Sequence, residues 1–352
     1  MKKALAFLLA LLTSLSLLTA CGEKGQTPPG GTDGAPAEPK RIDTLRLIFT
    51  PSSDPQVILE STEPFKKTLK DELASLGYDV GTVDITVGES YEAVGEALAA
   101  GDADVGVGMP GGTYVQYDDA CDVILTATRN GLSKDYDDAK DWNDEMPTVS
   151  IDHQATFYRS LIIAGPSDAG RALAAKVNAG RELTWEDLDA ATWSVMGKTS
   201  SAGYIYPALW LEGRYGKGVA DLSHAVQSSS YTEAFERLAS GEVDVLATYA
   251  DARTDFALQW DGDFGREVSV WEDTAVIGVT PGIYNDTITV SKSSAVMDDA
   301  LAAALQDAFI HIASTNAGQA VIAVYDHKGY QKAVSSDYDN ERAAQQLLQQ
   351  LG

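Results

Sequence analysis

Hydroxyl side chains crowd one short stretch, Gly197-Lys198-Thr199-Ser200-Ser201-Ala202-Gly203-Tyr204, set between a strand pattern from Trp193 to Met196 and a helix pattern from Ser201 to Glu212. A helix start offers backbone N–H groups without an intrahelical partner and about half a positive charge, and hydroxyls beside it add donors for a tetrahedral oxyanion. Thr199, Ser200, Ser201 and Gly203 therefore read as an anion cradle, or as a serine-rich N-cap that satisfies only its own helix. The segment is not a P-loop, because the order Gly-x4-Gly-Lys is absent. Tyr249 and Asp251 follow another strand pattern, Val243 to Ala247, at the C-terminal end where open α/β sheets place ligand crevices. Asp251 suits a protonated oxyanion or the cap of the next helix. Ser52 and Ser53 occupy the first such crevice, where a turn is the other reading. Tyr158 lies on a strand that crosses between two units, with its hydroxyl toward a ligand or its ring in the core.

Catalysis has no comparable constellation. His153, His224, His311 and His327 are dispersed without metal-ligand spacing, and no Gly-x-Ser-x-Gly elbow occurs. Cys121 sits among apolar residues as a buried thiol would. The reading is a binding protein, not an enzyme, with no cofactor and no metal.

Around these residues strands and helices alternate. Leu45 to Phe49 reads as a strand, a helix with Phe65, Leu69 and Leu73 on one face stops at Gly77, and Val83 to Val87 is the next strand. A helix from Tyr91 to Ala100 and a strand from Ala103 to Val107 follow. Val123 to Ala127, Tyr158 to Ala164, Val268 to Trp271 and Tyr284 to Val290 read as further strands. Met297 to Ala313 is a long amphipathic helix, and a polar helical tail starts near Asn340. The alternation predicts a doubly wound α/β fold. Ala97 to Val105 resembles Glu236 to Val245, each a helix, a glycine stop and an acidic-flanked strand, which predicts two α/β lobes built alike.

The N-terminal end carries a different signal. Lys2 and Lys3, a short apolar run and Leu18-Thr19-Ala20-Cys21 form a secretion signal over residues 1–20, with Cys21 as the acceptor of a lipid anchor on the outer face of the cell membrane. Residues 21–41, rich in Gly, Pro and Thr, read as a tether reaching on the order of 25 Å. With 52 acidic residues against 26 basic ones the formal charge is −26. Such a body has no bulk basic face for nucleic acid, and an anionic ligand must be held by local dipoles and hydrogen bonds.

Taken in order, Phe49-Thr50-Pro51-Ser52-Ser53-Asp54-Pro55, Tyr158-Arg159-Ser160, Ser200-Ser201-Ala202-Gly203-Tyr204 with Pro207, and Gly241-Glu242-Val243-Asp244-Val245 with Ala247-Thr248-Tyr249-Ala250-Asp251 resemble the phosphonate- and phosphite-binding family of ABC-transporter solute receptors. The resemblance spans about Leu45 to Ser293. It implies a type II periplasmic-binding-protein fold with two lobes, residues 42–155 plus 275–352 and residues 156–274. It also implies hinge closure on a small-molecule oxyanion, and docking on a permease served by an ATPase. The family's Ser-Thr-Ser-Gly grip matches Ser200 to Gly203, with Ala202 in place of the third hydroxyl. Its first-lobe loop maps onto Met109 to Thr113, with Gly108 where a ligand-contacting tyrosine would stand. A histidine and a carboxylate that some members direct at an aminoalkyl tail map onto Tyr231 and Thr232. Phosphonate, phosphite or phosphate is the expected ligand. The alternatives are a different small solute, or a ligand-sensing surface lipoprotein not coupled to transport.

Overall fold

The computed structural model describes residues 38–52, 55–198 and 200–351; Cys21, Ser53 and Thr199 lie outside the described residues. The first sheet has seven strands: β1 (Lys40–Phe49), β2 (Tyr78–Val87), β3 (Val105–Met109), β4 (Cys121–Leu132), β5 (Ser150–Ala155), β13 (Thr287–Ser291) and β14 (Gly329–Lys332). They run in the order β2-β1-β3-β13-β4-β14, with β5 paired to β4. β1 is parallel to β2 and β3, whereas β13 is antiparallel to both its neighbours. The second sheet combines β7 (Ser160–Ala164), β8 (Trp193–Val195), β9 (Ala225–Gln227), β10 (Val245–Tyr249) and β11 (Ala275–Val279) in the order β11-β7-β10-β8-β9. Here β8, β9 and β10 are parallel and β7 is the reversed strand. Both sheets therefore follow one plan: second strand, first strand, third strand, a reversed strand, then one more. β6 (Phe157–Tyr158) and β12 (Ile283–Tyr284) pair antiparallel as a ribbon apart from both sheets, on the two segments that link them. Both sheets lie within one compact unit, Pro39–Gly352.

The helices are α1 (Pro55–Ser75), α2 (Tyr91–Ala100), α3 (Gly111–Tyr114), α4 (Asp168–Asn178), α5 (Trp185–Asp189), α6 (Tyr206–Tyr215), α7 (Tyr231–Ser240), α8 (Arg253–Asp261), α9 (Val270–Asp273), α10 (Asp299–Ala313), α11 (Asn316–Ile322) and α12 (Asp339–Leu351). On α1 the spacing of Ile58, Phe65, Leu69 and Leu73 puts a stripe of apolar side chains into the first core, which also takes Leu45 and Leu47 from β1 and Leu305 and Phe309 from α10. The second core gathers Trp193, Tyr204, Trp210 and Leu211 with Ile162 and Val245. No helix among the described residues is long and apolar enough to cross a membrane.

The short sequence repeat has a full structural counterpart. Ser90 caps α2 by accepting from Ala93 N–H, and Ser230 caps α7 by accepting from Glu233 N–H. Both helices stop at a glycine with φ of 76°, Gly101 and Gly241, in the left-handed region that favours glycine. Asp104 accepts from Arg46 N–H and Ser294 Oγ at the foot of the first sheet. Asp244 accepts from Thr192 N–H and Ser167 Oγ at the foot of the second.

Several predicted boundaries move. β1 begins at Lys40, inside the predicted tether. Val268 to Trp271 is no strand: Ser269 Oγ accepts from Glu272 N–H and starts the short α9, because a brief apolar run has no period to separate strand from helix. Ala275–Val279, placed above in the first lobe, is β11 of the second sheet, where its buried side chains pair along β7. Tyr158 to Ala164 is two strands, the ribbon strand β6 and the sheet strand β7.

Candidate functional site

A cavity of about 920 Å³ lies where the two sheets face each other. Pro110, Gly111 and Gly112 line it from the segment after β3, and Arg129 to Leu132 from the end of β4. Ser200, Ser201 and Ala202 line it from the segment after β8, Tyr249 and Ala250 from the end of β10, and Tyr231 from the first position of α7. The ribbon contributes Phe157, Tyr158, Ile283 and Tyr284, and α12 contributes Glu341. Strand C-termini converge on a crevice here because each parallel strand delivers its following loop to the same edge of its sheet.

The hydroxyl turn is built tightly. Residues Ser201–Ile205 form a π-helical turn that leads into α6, a local widening often found at functional sites. Ser200 is its N-cap: Ser200 Oγ accepts from Gly203 N–H at 3.1 Å and lies 3.3 Å from Tyr231 Oη. Ser201 and Ala202 hold the first-turn positions, whose N–H groups a helix cannot pair internally. Ala202 C=O accepts from Ser160 Oγ at 2.6 Å, which fixes the turn to β7. Tyr231 packs edge-on against Tyr249, ring centroids 5.1 Å apart, and Tyr249 Oη donates to Asp255 at 2.6 Å. Burial raises the pKa of Tyr158, Tyr231 and Tyr249, so all three stay protonated donors at neutral pH.

Five of the residues singled out from the sequence meet in this cavity: Tyr158, Ser200, Ser201, Tyr231 and Tyr249. Three do not. Asp251 is fully buried against Arg253, whose Nε and Nη2 donate to it at 3.0 and 2.8 Å, and Thr148 Oγ1 donates at 2.8 Å. Its carboxylate is satisfied inside the fold and is off the cavity wall. Gly203 is a glycine for packing: a Cβ there would stand 2.3 Å from Met196 Cγ. Ser52 lies outside the cavity lining. Gly108 stands at φ +79°, and a Cβ there would meet Tyr325 Cε1 at 2.9 Å and Thr50 Oγ1 at 3.0 Å, so the position is kept for glycine by backbone conformation and packing.

Of the first-sheet side, the loop of Met109 to Thr113 does line the cavity, through Pro110, Gly111 and Gly112, whereas the end of β4, the residue before β13 and α12 escaped sequence reasoning. Asp286 lines the cavity with its Oδ2 3.1 Å from Nε2 of the buried His327, and Arg129 Nη2 stands 4.0 Å from the same oxygen. Arg159 is engaged by Asp135 and Asp137 at 2.6 and 2.9 Å. Glu341 accepts from Tyr206 Oη at 2.5 Å. Arg159 stands in the Tyr158-Arg159-Ser160 motif without having been singled out, whereas Arg129, Asp286, His327 and Glu341 sit in no motif, and the tail that carries Glu341 reads as a polar helix.

Residues 47–338 match the family model described as ABC transporter, phosphonate, periplasmic substrate-binding protein. The chain belongs to that family. The family is the extracytoplasmic substrate-binding component of an ABC transporter, not an enzyme; its partners are a small-molecule ligand and the transporter's permease and ATPase. No curated protein matches the sequence closely enough to add to this. Among solved structures, the Mycoplasma hyorhinis protein Mh-p37, described as a candidate thiamine pyrophosphate transporter, is 15% identical. It aligns over 84% of this chain and 95% of its own, with a TM-score of 0.57. A Xanthomonas citri protein solved with chloride is 16% identical over 88% of this chain and 99% of its own, TM-score 0.54. A binding-protein component of an ABC phosphonate transporter from Pseudomonas aeruginosa is 15% identical over 87% of each chain, TM-score 0.47. The receptor accordingly has the two-sheet architecture of type II periplasmic binding proteins.

Proposed function

We propose that this receptor takes a phosphorus oxyanion, a phosphonate, phosphite or phosphate, at the Ser200–Ala202 turn. One observation carries the reading: two serine hydroxyls, a helix start and the Tyr231 phenol stand together on one wall of the cavity between the sheets. Such a set can replace the hydration of a tetrahedral anion without a full positive charge. In this reading the two lobes close on the ligand about the β6/β12 ribbon, with β11 moving as part of the second lobe, and the closed form is presented to the permease. A cavity of about 920 Å³ is at the upper end of the roughly 300–1,000 Å³ that organic ligands occupy, which favours an oxyanion with an organic tail over a bare inorganic one. The receptor is further proposed to be a lipoprotein, made from a precursor whose residues 1–20 are removed and tethered to the membrane through acylated Cys21.

Replacing both hydroxyls, Ser200→Ala with Ser201→Ala, is the decisive experiment. Each lost hydrogen bond to a charged group is worth about 1.5–3 kcal/mol, so methylphosphonate or phosphite affinity measured by calorimetry should fall by at least ~100-fold. Unchanged affinity in a folded double variant would overturn the cradle.

A further inference from the structure

The cavity also holds an acceptor that an anion alone cannot satisfy. Glu341, 6% exposed, lines it from α12. One of its oxygens accepts from Tyr206 Oη; among the described residues the other has no protein donor. Two glycines of α3 make its room: a Cβ at Gly111 would stand 2.9 Å from Glu341 Cγ. Asn285, on the same lining, donates both amide hydrogens, to Ala127 C=O at 3.1 Å and Ala155 C=O at 3.0 Å. That orients the amide and leaves its Oδ1 unpaired but sealed from the cavity, so the open acceptor on this wall is the second oxygen of Glu341. Buried acceptors are almost always paired, and an exception on a ligand cavity is explained most simply by a donor on the ligand.

Among the described residues no cation pairs with Glu341. Tyr206 faces it from α6, the Tyr158 phenol on the ribbon is close enough to feel its charge, and α3 presents Gly111 and Gly112 there. Arg342, its neighbour on α12, is turned to Asp118 and Asp339, and Arg129 stands toward Asp286. Tyr206 follows Ser201 by five residues, on the order of 7 Å along the helix axis, a distance that a short chain spans.

We infer that Glu341 is a specificity-determining residue, selecting an oxyanion whose far end carries a protonated nitrogen. The inference rests on the cradle reading above. It also relocates recognition of the tail from the positions of Tyr231 and Thr232 to the C-terminal helix. Burial holds the Glu341 carboxyl above the usual carboxylate range, with the Tyr206 hydrogen bond opposing it. The residue therefore gains its charge as pH rises, and an ammonium ligand should gain affinity with it.

Calorimetry with 2-aminoethylphosphonate and ethylphosphonate, equal in headgroup and chain length, tests this. The wild type is expected to prefer the ammonium ligand by at least about tenfold near pH 8. Glu341→Gln, which still accepts from Tyr206, should abolish that preference and leave ethylphosphonate bound as well or better. Tyr206→Phe should keep the preference but move its onset to higher pH, because the carboxylate loses its one donor. A preference that survives Glu341→Gln, or a wild type that favours ethylphosphonate, overturns the inference and leaves the cradle standing. Failure of both compounds to bind the wild type overturns the cradle and the inference together.

Discussion

Asp251 and Glu341 are both buried carboxylates near the same crevice, and their partners separate them. Asp251 meets a guanidinium and a hydroxyl, and the Arg253 that holds it lies 4.7 Å over the Trp271 ring. Removing one partner of a buried, fully hydrogen-bonded pair strands the other, at a cost of about 3–5 kcal/mol. Asp251→Ala should lower unfolding free energy by that amount in denaturant titration, with ligand affinity of the folded fraction unchanged. A large affinity loss without destabilisation would return Asp251 to the site. Glu341 has one hydroxyl donor and a cavity, which is the environment of a group that waits for a ligand. Cys121 lies at the other extreme: burial pushes its thiol up to about 12, so it stays protonated and inert.

At the scale of elements, the repeated unit explains why acidic residues recur where no ligand is bound. Asp104 ties the start of β3 to Arg46 within β1, and Asp244 ties the start of β10 to Thr192, which directly precedes β8. The tie runs both ways: Asp104 N–H donates to Arg46 C=O at 2.9 Å, and Asp244 N–H donates to Thr192 C=O at 2.8 Å. Both ties sit at the N-terminal ends of β3 and β10, whose C-terminal ends lead to the cavity. Alanine at either position leaves a backbone N–H unpaired, about 1–3 kcal/mol each. Asp104 also accepts from Arg46 Nε and Nη2 at 3.1 and 2.6 Å, so Asp104→Ala should destabilise more than Asp244→Ala in chemical denaturation, while both leave ligand affinity within about twofold. A selective loss of binding in one of them would break the equivalence of the two units. The hydroxyl turn is a different device: Gly203 lets it lie against Met196, so the donors of Ser201 and Ala202 stay at the cavity edge.

For the molecule as a whole, charge and attachment act together. A formal charge of −26 repels an anionic solute at long range, yet the field is screened beyond about 8 Å at physiological salt. Capture then depends on donors inside the cavity. A tether of the kind proposed for residues 21–41 would keep the receptor beside the permease and raise their effective concentration. Growth with an alkyne-bearing fatty acid should label the wild type and leave Cys21→Ser unlabelled. Label retained in the variant would remove the lipid anchor from the proposal.

Sequence alone determined the features that short-range rules govern. The helix of Tyr91 to Ala100 is legible because Ser90 starts it and Gly101 stops it, and α7 is legible for the same reason. The hydroxyl turn is legible because serines ahead of an apolar helix are a local pattern. Ser200 is the cap, accepting from Gly203 N–H, and it also lines the cavity. Tertiary structure decided what depends on residues far apart in the chain. Glu341 and Tyr206 are separated by 135 positions, and Asp286 and His327 by 41, so no spacing rule joins them. Asp251 and Tyr249 are two residues apart, yet one turns into the core and the other lines the cavity. Which face a side chain takes after a strand ends is set by the partners that meet it there, Arg253 and Thr148 in one case and Tyr231 in the other.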